Sequence, residues 1–338
     1  MNKYYKVILP ISVVAMLLSG CGQVSQSADS QQKLQNSTSV QQSNKNSSDV
    51  SIEEVSLEQE AVALTANPAL STQITPVASG TLVEKNDRAE IDYSNTSDGY
   101  VMVRFTGQTA TRLKVQVQGP STTYTYDLPQ GSDWTTFSLS DGNGNYKVTV
   151  FENTTGTKYA TVLSKSMSVS LKDEFAPFLC SNQYVNFAVA PKTVAKAQEL
   201  IGTISDPLEK VSKVYDYVVK NITYDKKLAD SVQSGYLPVL DTVLEKKSGI
   251  CFDYAALMTG MLRSQNVPCK LVVGYAGTAY HAWISVWTPD SGWIDGAIYF
   301  DGSTWQRMDP TFASSGNQSE SIMKYIGDGS NYTVKYLY

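Results

Sequence analysis

One histidine stands in the 338 residues, His281, and it opens the run His281-Ala282-Trp283. Upstream lies Gly249-Ile250-Cys251, at the start of an apolar helical stretch, and downstream lies Asp309-Pro310-Thr311. A thiol attacks only as thiolate, an imidazole can take its proton, and a carboxylate can hold the imidazole in one tautomer and orientation. The ordered set Cys251, His281 and Asp309 therefore reads as nucleophile, base and orienting acid for acyl transfer. Each residue alone has a plainer explanation. A lone buried cysteine is usually an inert small hydrophobe, a lone histidine a core residue, and an aspartate before proline the end of a strand. The order and spacing of the three decide between these explanations, and so does the setting of Cys251. It follows Ser248-Gly249 and precedes a helical run, so its sulfur is predicted at a helix N-terminus, where unpaired N–H groups and the dipole favour a thiolate.

The elements that must hold these residues begin near Pro191, where the pattern turns helical. Asp206-Pro207-Leu208-Glu209 supplies an N-cap, a proline at the first helical position and a glutamate one turn in. Leu208, Val211, Tyr215, Val218 and Val219 then make an apolar face that ends near Asn221. A second helix is predicted over 238–247. A third starts at Cys251, with Ala255, Leu257, Met258, Met261 and Leu262 towards a core. β-rich runs at 271–275, 281–287 and 305–308 are predicted to form an antiparallel sheet against the third helix, so that thiol and imidazole meet across a cleft. On a strand Trp283 points to the same side as His281, where it walls off solvent.

The runs Gly249-Ile250-Cys251-Phe252-Asp253-Tyr254-Ala255-Ala256-Leu257, His281-Ala282-Trp283 and Asp309-Pro310-Thr311 resemble, in order, the three motifs of the transglutaminase-like superfamily, over roughly residues 211–312. The resemblance implies an α+β papain-like core, helices packed on an antiparallel sheet, with Cys251, His281 and Asp309 as its triad. Tyr224-Asp225 resembles the place where the family puts an aromatic donor to the oxyanion, although Tyr224 also suits plain core packing. The chemistry implied is thiolate attack on a carboxamide or peptide carbonyl to leave a thioester. Water then completes hydrolysis, as in a protease or amidase, or an amine completes transamidation; hydrolysis is slightly favoured, since no residue visibly excludes water. No metal or cofactor is called for. The alternative is a non-catalytic cell-wall or protein-binding module on the same fold, which fold analogy alone does not exclude.

The remainder of the chain suggests where such an enzyme works. Lys3 and Lys6 precede an apolar run over 7–18, and Leu18-Ser19-Gly20-Cys21 follows. The run is too short for a permanent membrane span, so residues 1–20 read as a lipoprotein signal peptide, with Cys21 left for lipidation. An ordinary secretory signal with an incidental cysteine is the alternative. Residues 21–72 continue as a stalk: 24–49 is Ser/Gln/Asn-rich and too poor in large apolar residues to order itself, while 52–66 suits either a short helix or a continuation of the tether. The expected location is extracytoplasmic, tethered to the membrane by lipid as in a bacterial surface lipoprotein, with protein or peptide substrates at the cell surface. A net charge of −5 and the absence of a dense Lys/Arg cluster argue against nucleic acid as partner.

Residues 73–172 are predicted to be an all-β sandwich domain, ahead of a transglutaminase-like catalytic domain at 173–338. Alternating runs at 100–105, 113–117, 122–127, 134–139 and 146–151 are separated by turn residues. The segment 141–145 superficially resembles a calcium loop, but Tyr146 stands where its glycine is needed, so a hairpin turn is expected there. Tyr124, Tyr126, Trp134 and Phe137 suit sheet packing better than a glycan-binding strip. Cys269 reads as a buried structural thiol, and a Cys180–Cys269 bond stays open.

Overall fold

The computed structural model describes residues 72–289, 292–294, 298–300, 305–307 and 331–338, and these fall within one compact unit. The first alternating runs become two four-stranded antiparallel sheets. One is ordered β1 (Val83–Lys85), β2 (Ala89–Asp92), β3 (Tyr100–Phe105) and β6 (Thr135–Ser138). The other is ordered β5 (Thr123–Leu128), β4 (Leu113–Gln118), β7 (Gly144–Thr155) and β8 (Lys158–Val169). Along β4 every second residue, Leu113, Val115 and Val117, is buried, and each faces an apolar partner in register, such as Tyr126 across from Val115. The same buried cluster takes in Ile91, Val101, Val103 and Phe105 from the other sheet. Period-two patterning thus buries one face of each sheet in a common core.

Two details of this region differ from expectation or sharpen it. The segment 141–145 is not a hairpin, because β6 and β7 belong to different sheets. Alternation reveals which face of a strand is buried, not which strand lies beside it. The Asp141 carboxylate accepts the Ser121 N–H and hydroxyl, both at 2.6 Å, and the Thr122 N–H at 2.8 Å, while Asn143 Oδ1 accepts the Leu171 N–H at 2.7 Å. These oxygens serve turns. Among the described residues no cluster of His, Cys, Asp or Glu has metal-holding geometry. Tyr124, Tyr126 and Phe137 are buried, and Tyr126 packs against Phe137, Tyr184 and Tyr338, so they form packing rather than a glycan strip. Trp134 lies under the Arg104 guanidinium instead.

The helical half contains α1 (Pro191–Ile201), α2 (Pro207–Asn221), α3 (Lys226–Ser231), α4 (Leu240–Lys246) and α5 (Cys251–Arg263). In α2 the Asp206 side chain accepts the Leu208 N–H, and Val211, Val214, Tyr215, Val218 and Val219 face inward. Every residue of α5 from Asp253 to Arg263 is buried, and the helix touches α1, α2, α4 and the sheet behind it. A helix so enclosed can be apolar all round. That sheet is antiparallel, ordered β13 (Gly292–Ile294), β12 (Ala279–Thr288), β11 (Cys269–Ala276) and β16 (Tyr332–Leu337). The predicted strand at 305–308 does not join it. β15 (Trp305–Arg307) pairs with β14 (Ile298–Phe300) in a separate ribbon, and β16 takes the place beside β11. A short parallel pair, β9 (Thr223–Tyr224) and β10 (Ser248–Gly249), closes the helical half.

At the end of α5 the fully buried Arg263 guanidinium donates to the carbonyls of Cys269 and Cys180 at 2.8 Å each and of Tyr338 at 2.6 Å. Three segments far apart in sequence are tied to one cation. Cys180 and Cys269 are both free thiols, and burial pushes them up to about 12 and about 11 respectively.

Candidate active site

The site is built around the turn that delivers Cys251. β9 and β10 set Tyr224 beside Gly249, with the Asp225 N–H donating to the Gly249 carbonyl at 2.9 Å. Ile250 then runs extended as the N-cap, and Cys251 is the first residue of α5, partly exposed. The first N–H groups of any α-helix lack an intrahelical acceptor, so they face the space where a carbonyl oxygen would sit beside this sulfur.

Beneath the turn lies Asp253, fully buried at the third helical position. One of its carboxylate oxygens accepts the Ile250 N–H and the other the Tyr236 hydroxyl, both at 2.8 Å. Burial raises the Asp253 carboxyl above its ordinary value, and the two donors oppose that rise only in part. The close fit explains the glycine of the first motif. A Cβ on Gly249 would stand 2.6 Å from the Asp253 Cβ, closer than atoms can approach. Asp253 and Tyr236 are residues whose part in the site the sequence did not disclose. Asp253 lay within the motif but without a partner, and nothing in the loop around Tyr236 marks it.

Two phenols stand on the elements around this turn, Tyr224 on β9 and Tyr280 on β12. Tyr224 is pushed up to about 12, by burial first and then by the charge of Cys251. Tyr280, just before His281, is 56% exposed, with its ring edge-on to that of Tyr275 at 5.5 Å. A phenol keeps its proton through neutral pH, so each has an O–H to donate. Tyr280 was the third site residue not anticipated, and its one sequence mark is its place next to the histidine.

His281 is buried on β12, directly across from Gly274 of β11. Its ring lies nearly parallel to that of the buried Trp283, at 22° and 6.2 Å between centroids, and Trp283 in turn meets Tyr332 edge-on at 5.1 Å. Gly274 leaves the room this needs, because a Cβ there would stand 2.0 Å from the Thr333 carbonyl oxygen and 2.9 Å from the indole. The structure thus sets Cys251 and Tyr224 at the head of α5, with Asp253 and Tyr236 behind them, and sets Tyr280, His281 and Trp283 on β12. The two groups are joined by the packing of α5 on β12. Asp309 and Cys21 lie outside the described residues.

Comparison with known proteins bears on the same region. A family model described as the transglutaminase-like superfamily matches residues 194–310. A protein-glutamine gamma-glutamyltransferase of Pseudomonas aeruginosa is 31% identical over 68 residues, which cover 16% of this chain and 10% of that protein. The likeness therefore spans about a tenth of that curated relative's length. Among solved structures, a candidate cysteine protease from Cytophaga hutchinsonii is 16% identical, with TM-score 0.36, covering 71% of this chain and 76% of its own. Red sea bream transglutaminase is 14% identical, with TM-score 0.29, covering 68% of this chain and 53% of its own. Superpositions this loose carry no argument about the site. The match of residues 194–310 takes in both the helix led by Cys251 and the strand of His281, so this part of the chain is similar to the transglutaminase-like superfamily.

Proposed function

We propose that the chain is a surface-anchored cysteine acyl-transfer enzyme acting on amide bonds of proteins or peptides. The observation that carries this reading is the placement of Cys251. It is a partly exposed thiol at the first position of a helix whose head is pinned by a buried carboxylate, and that helix packs on the strand bearing the one histidine. In the proposed cycle His281 takes the thiol proton and the thiolate adds to the substrate carbonyl. The oxyanion then receives the Cys251 N–H and the Tyr224 hydroxyl. Collapse breaks the C–N bond, and the amine leaves with the proton held by His281. Water resolves the remaining thioester to a carboxylic acid, or a primary amine resolves it to a new amide. Asp309 is assigned the orienting role towards His281, and Trp283 the shielding of the imidazole. Hydrolysis is the favoured second step, since Cys251 is partly exposed to water.

The wider setting belongs to the same proposal: a signal peptide, a lipid on Cys21, a polar stalk, and the paired sheets as a β-sandwich in front of the catalytic part. Incubating wild type and Cys251→Ala with a mixed protein substrate and a fluorescent primary amine tests the chemistry. Wild-type-dependent release of ammonia or of new peptide termini, without dye incorporation, is the expected result, whereas dye incorporation identifies transamidation. Neither product, together with equal binding of wall peptides by both proteins, would replace the enzyme with a binding module. For the anchor, Cys21→Ala should move the protein from the membrane to the soluble fraction. A native N-terminal peptide without acyl mass would sink that part.

A further inference from the structure

A line of contacts leads from the paired sheets to the thiol turn. Arg112, just before β4, donates from Nε and Nη2 to the two carboxylate oxygens of Asp127 on β5, each at 2.6 Å. The same Nη2 donates to the carbonyl and hydroxyl oxygens of Ser234 at 2.9 and 3.0 Å. Ser234 lies in the connection between α3 and α4. Gly235 follows with φ 93°, and a Cβ there would stand 2.7 Å from Asp127 Oδ2, so the loop closes directly on the ion pair. The next residue is Tyr236, whose hydroxyl donates to the buried Asp253, and Asp253 in turn holds the Ile250 N–H immediately before the nucleophile.

We propose that Arg112 and Tyr236 are positioning residues for Cys251, so that the N-terminal sheets help fix the nucleophile's geometry rather than merely accompany it. The proposal rests on the reading of Cys251 as nucleophile. A two-pronged guanidinium–carboxylate pair fixes direction as well as distance, so the Nη2 that Ser234 shares is offered from a frame that the sheet already holds rigid. The loop 232–239 has neither strand nor helix of its own, so it is held by the guanidinium at Ser234 and by Asp253 at Tyr236. Releasing the first leaves Tyr236 to find Asp253 at the cost of ordering the loop itself. A helix head whose cap is less firmly held presents its sulfur and first N–H groups over a wider range of positions, and reactivity falls steeply with such misplacement. The Arg112 side chain is 41% exposed, so its truncation empties no core, and a purely local role predicts almost no effect at the thiol.

The test is the second-order rate of iodoacetamide attack on Cys251 in the folded full chain, mapped by peptide mass across pH. The proteins compared are wild type, Arg112→Ala, Tyr236→Phe, the double variant, and Arg88→Ala. The last removes a comparable ion pair on the same sheets, Arg88 to Glu152 at 2.8 Å, that does not touch the loop. Arg112→Ala and Tyr236→Phe should each slow Cys251 by roughly fivefold, the effect of losing one positioning hydrogen bond, and displace the midpoint of its pH–rate profile. The double variant should be no slower than Tyr236→Phe, because both act through one path. Arg88→Ala should react as wild type, and the thermal midpoint of Arg112→Ala should match that of Arg88→Ala. A wild-type rate in Arg112→Ala, or multiplied effects in the double variant, overturns the proposal. Wild-type Cys251 reacting no faster than Cys180 and Cys269 would instead overturn its reading as nucleophile.

Discussion

Three thiols in the described part of the chain are free, and they differ in kind. Cys180 and Cys269 are enclosed, and burial holds both well above the usual thiol range, while Cys251 is partly exposed at a helix head. Limiting iodoacetamide at mildly alkaline pH should label Cys251 first, and His281→Ala should narrow its lead; equal labelling of the three would contradict an activated thiol. Residue type and order made Cys251 and His281 visible in the sequence, since a cysteine opening a helix and a single histidine are local marks. Asp253 and Tyr236 were invisible as a pair for a physical reason. A hydrogen bond between a helix and a loop seventeen residues away leaves no period and no composition bias to read.

At the scale of elements, periodicity located α2 and α5 and most strands of the paired sheets, because one buried face repeats every 3.6 or every 2 residues. It could not say which strands are neighbours. The run at 305–308 was legible as a strand and misassigned to the main sheet, whose fourth strand is β16, and the segment 141–145 proved to be a crossing between sheets. Gly274 shows what the actual neighbour demands. The β11–β16 ladder slips its register there, and the Thr333 carbonyl approaches so closely that no side chain fits. Gly274→Ala should push β16 away from β11 and lower stability by about 1–3 kcal/mol, the usual range for overpacking. Denaturant melts would give the loss, and hydrogen exchange should quicken first in 332–337. Unchanged exchange in that strand would mean the ladder absorbs the methyl elsewhere.

The molecule as a whole is joined where rings meet. Tyr126 lies within 5.7 Å of both Tyr184 and Tyr338, and Tyr124 is 5.5 Å from Tyr338, so the paired sheets and the helical half share a cluster of phenols. Burial pushes Tyr124 up to about 12 and raises Tyr126, Tyr184 and Tyr338 as well. The sign of the linkage follows. The unfolded chain loses these protons near pH ~10 while the folded chain retains them, so their contribution is intact below that pH and lost as pH climbs towards the folded values. Ultraviolet titration of phenolate should therefore show a late, steep step that coincides with loss of near-ultraviolet circular dichroism. Gradual ionisation completed near pH ~10 with the fold intact would refute the buried cluster. The joint between the halves is the least legible part of the sequence, because aromatic residues on strands look alike whether they face a core, a ligand or another domain.

The Arg263 guanidinium also sets a timetable. Its helix and two of its acceptors, at Cys180 and Cys269, are made early, but the third is the carbonyl of Tyr338, and β16 lies against β11 only once residues 332–337 exist. Until the ribosome has delivered that stretch, β11 presents a bare edge, and a buried cation waits with a hydrogen bond unmade. A nascent chain cannot close the sheet behind Cys251 from the segments already synthesised. Closure of the sheet behind Cys251, with the third hydrogen bond of Arg263, thus waits until synthesis has reached Tyr338.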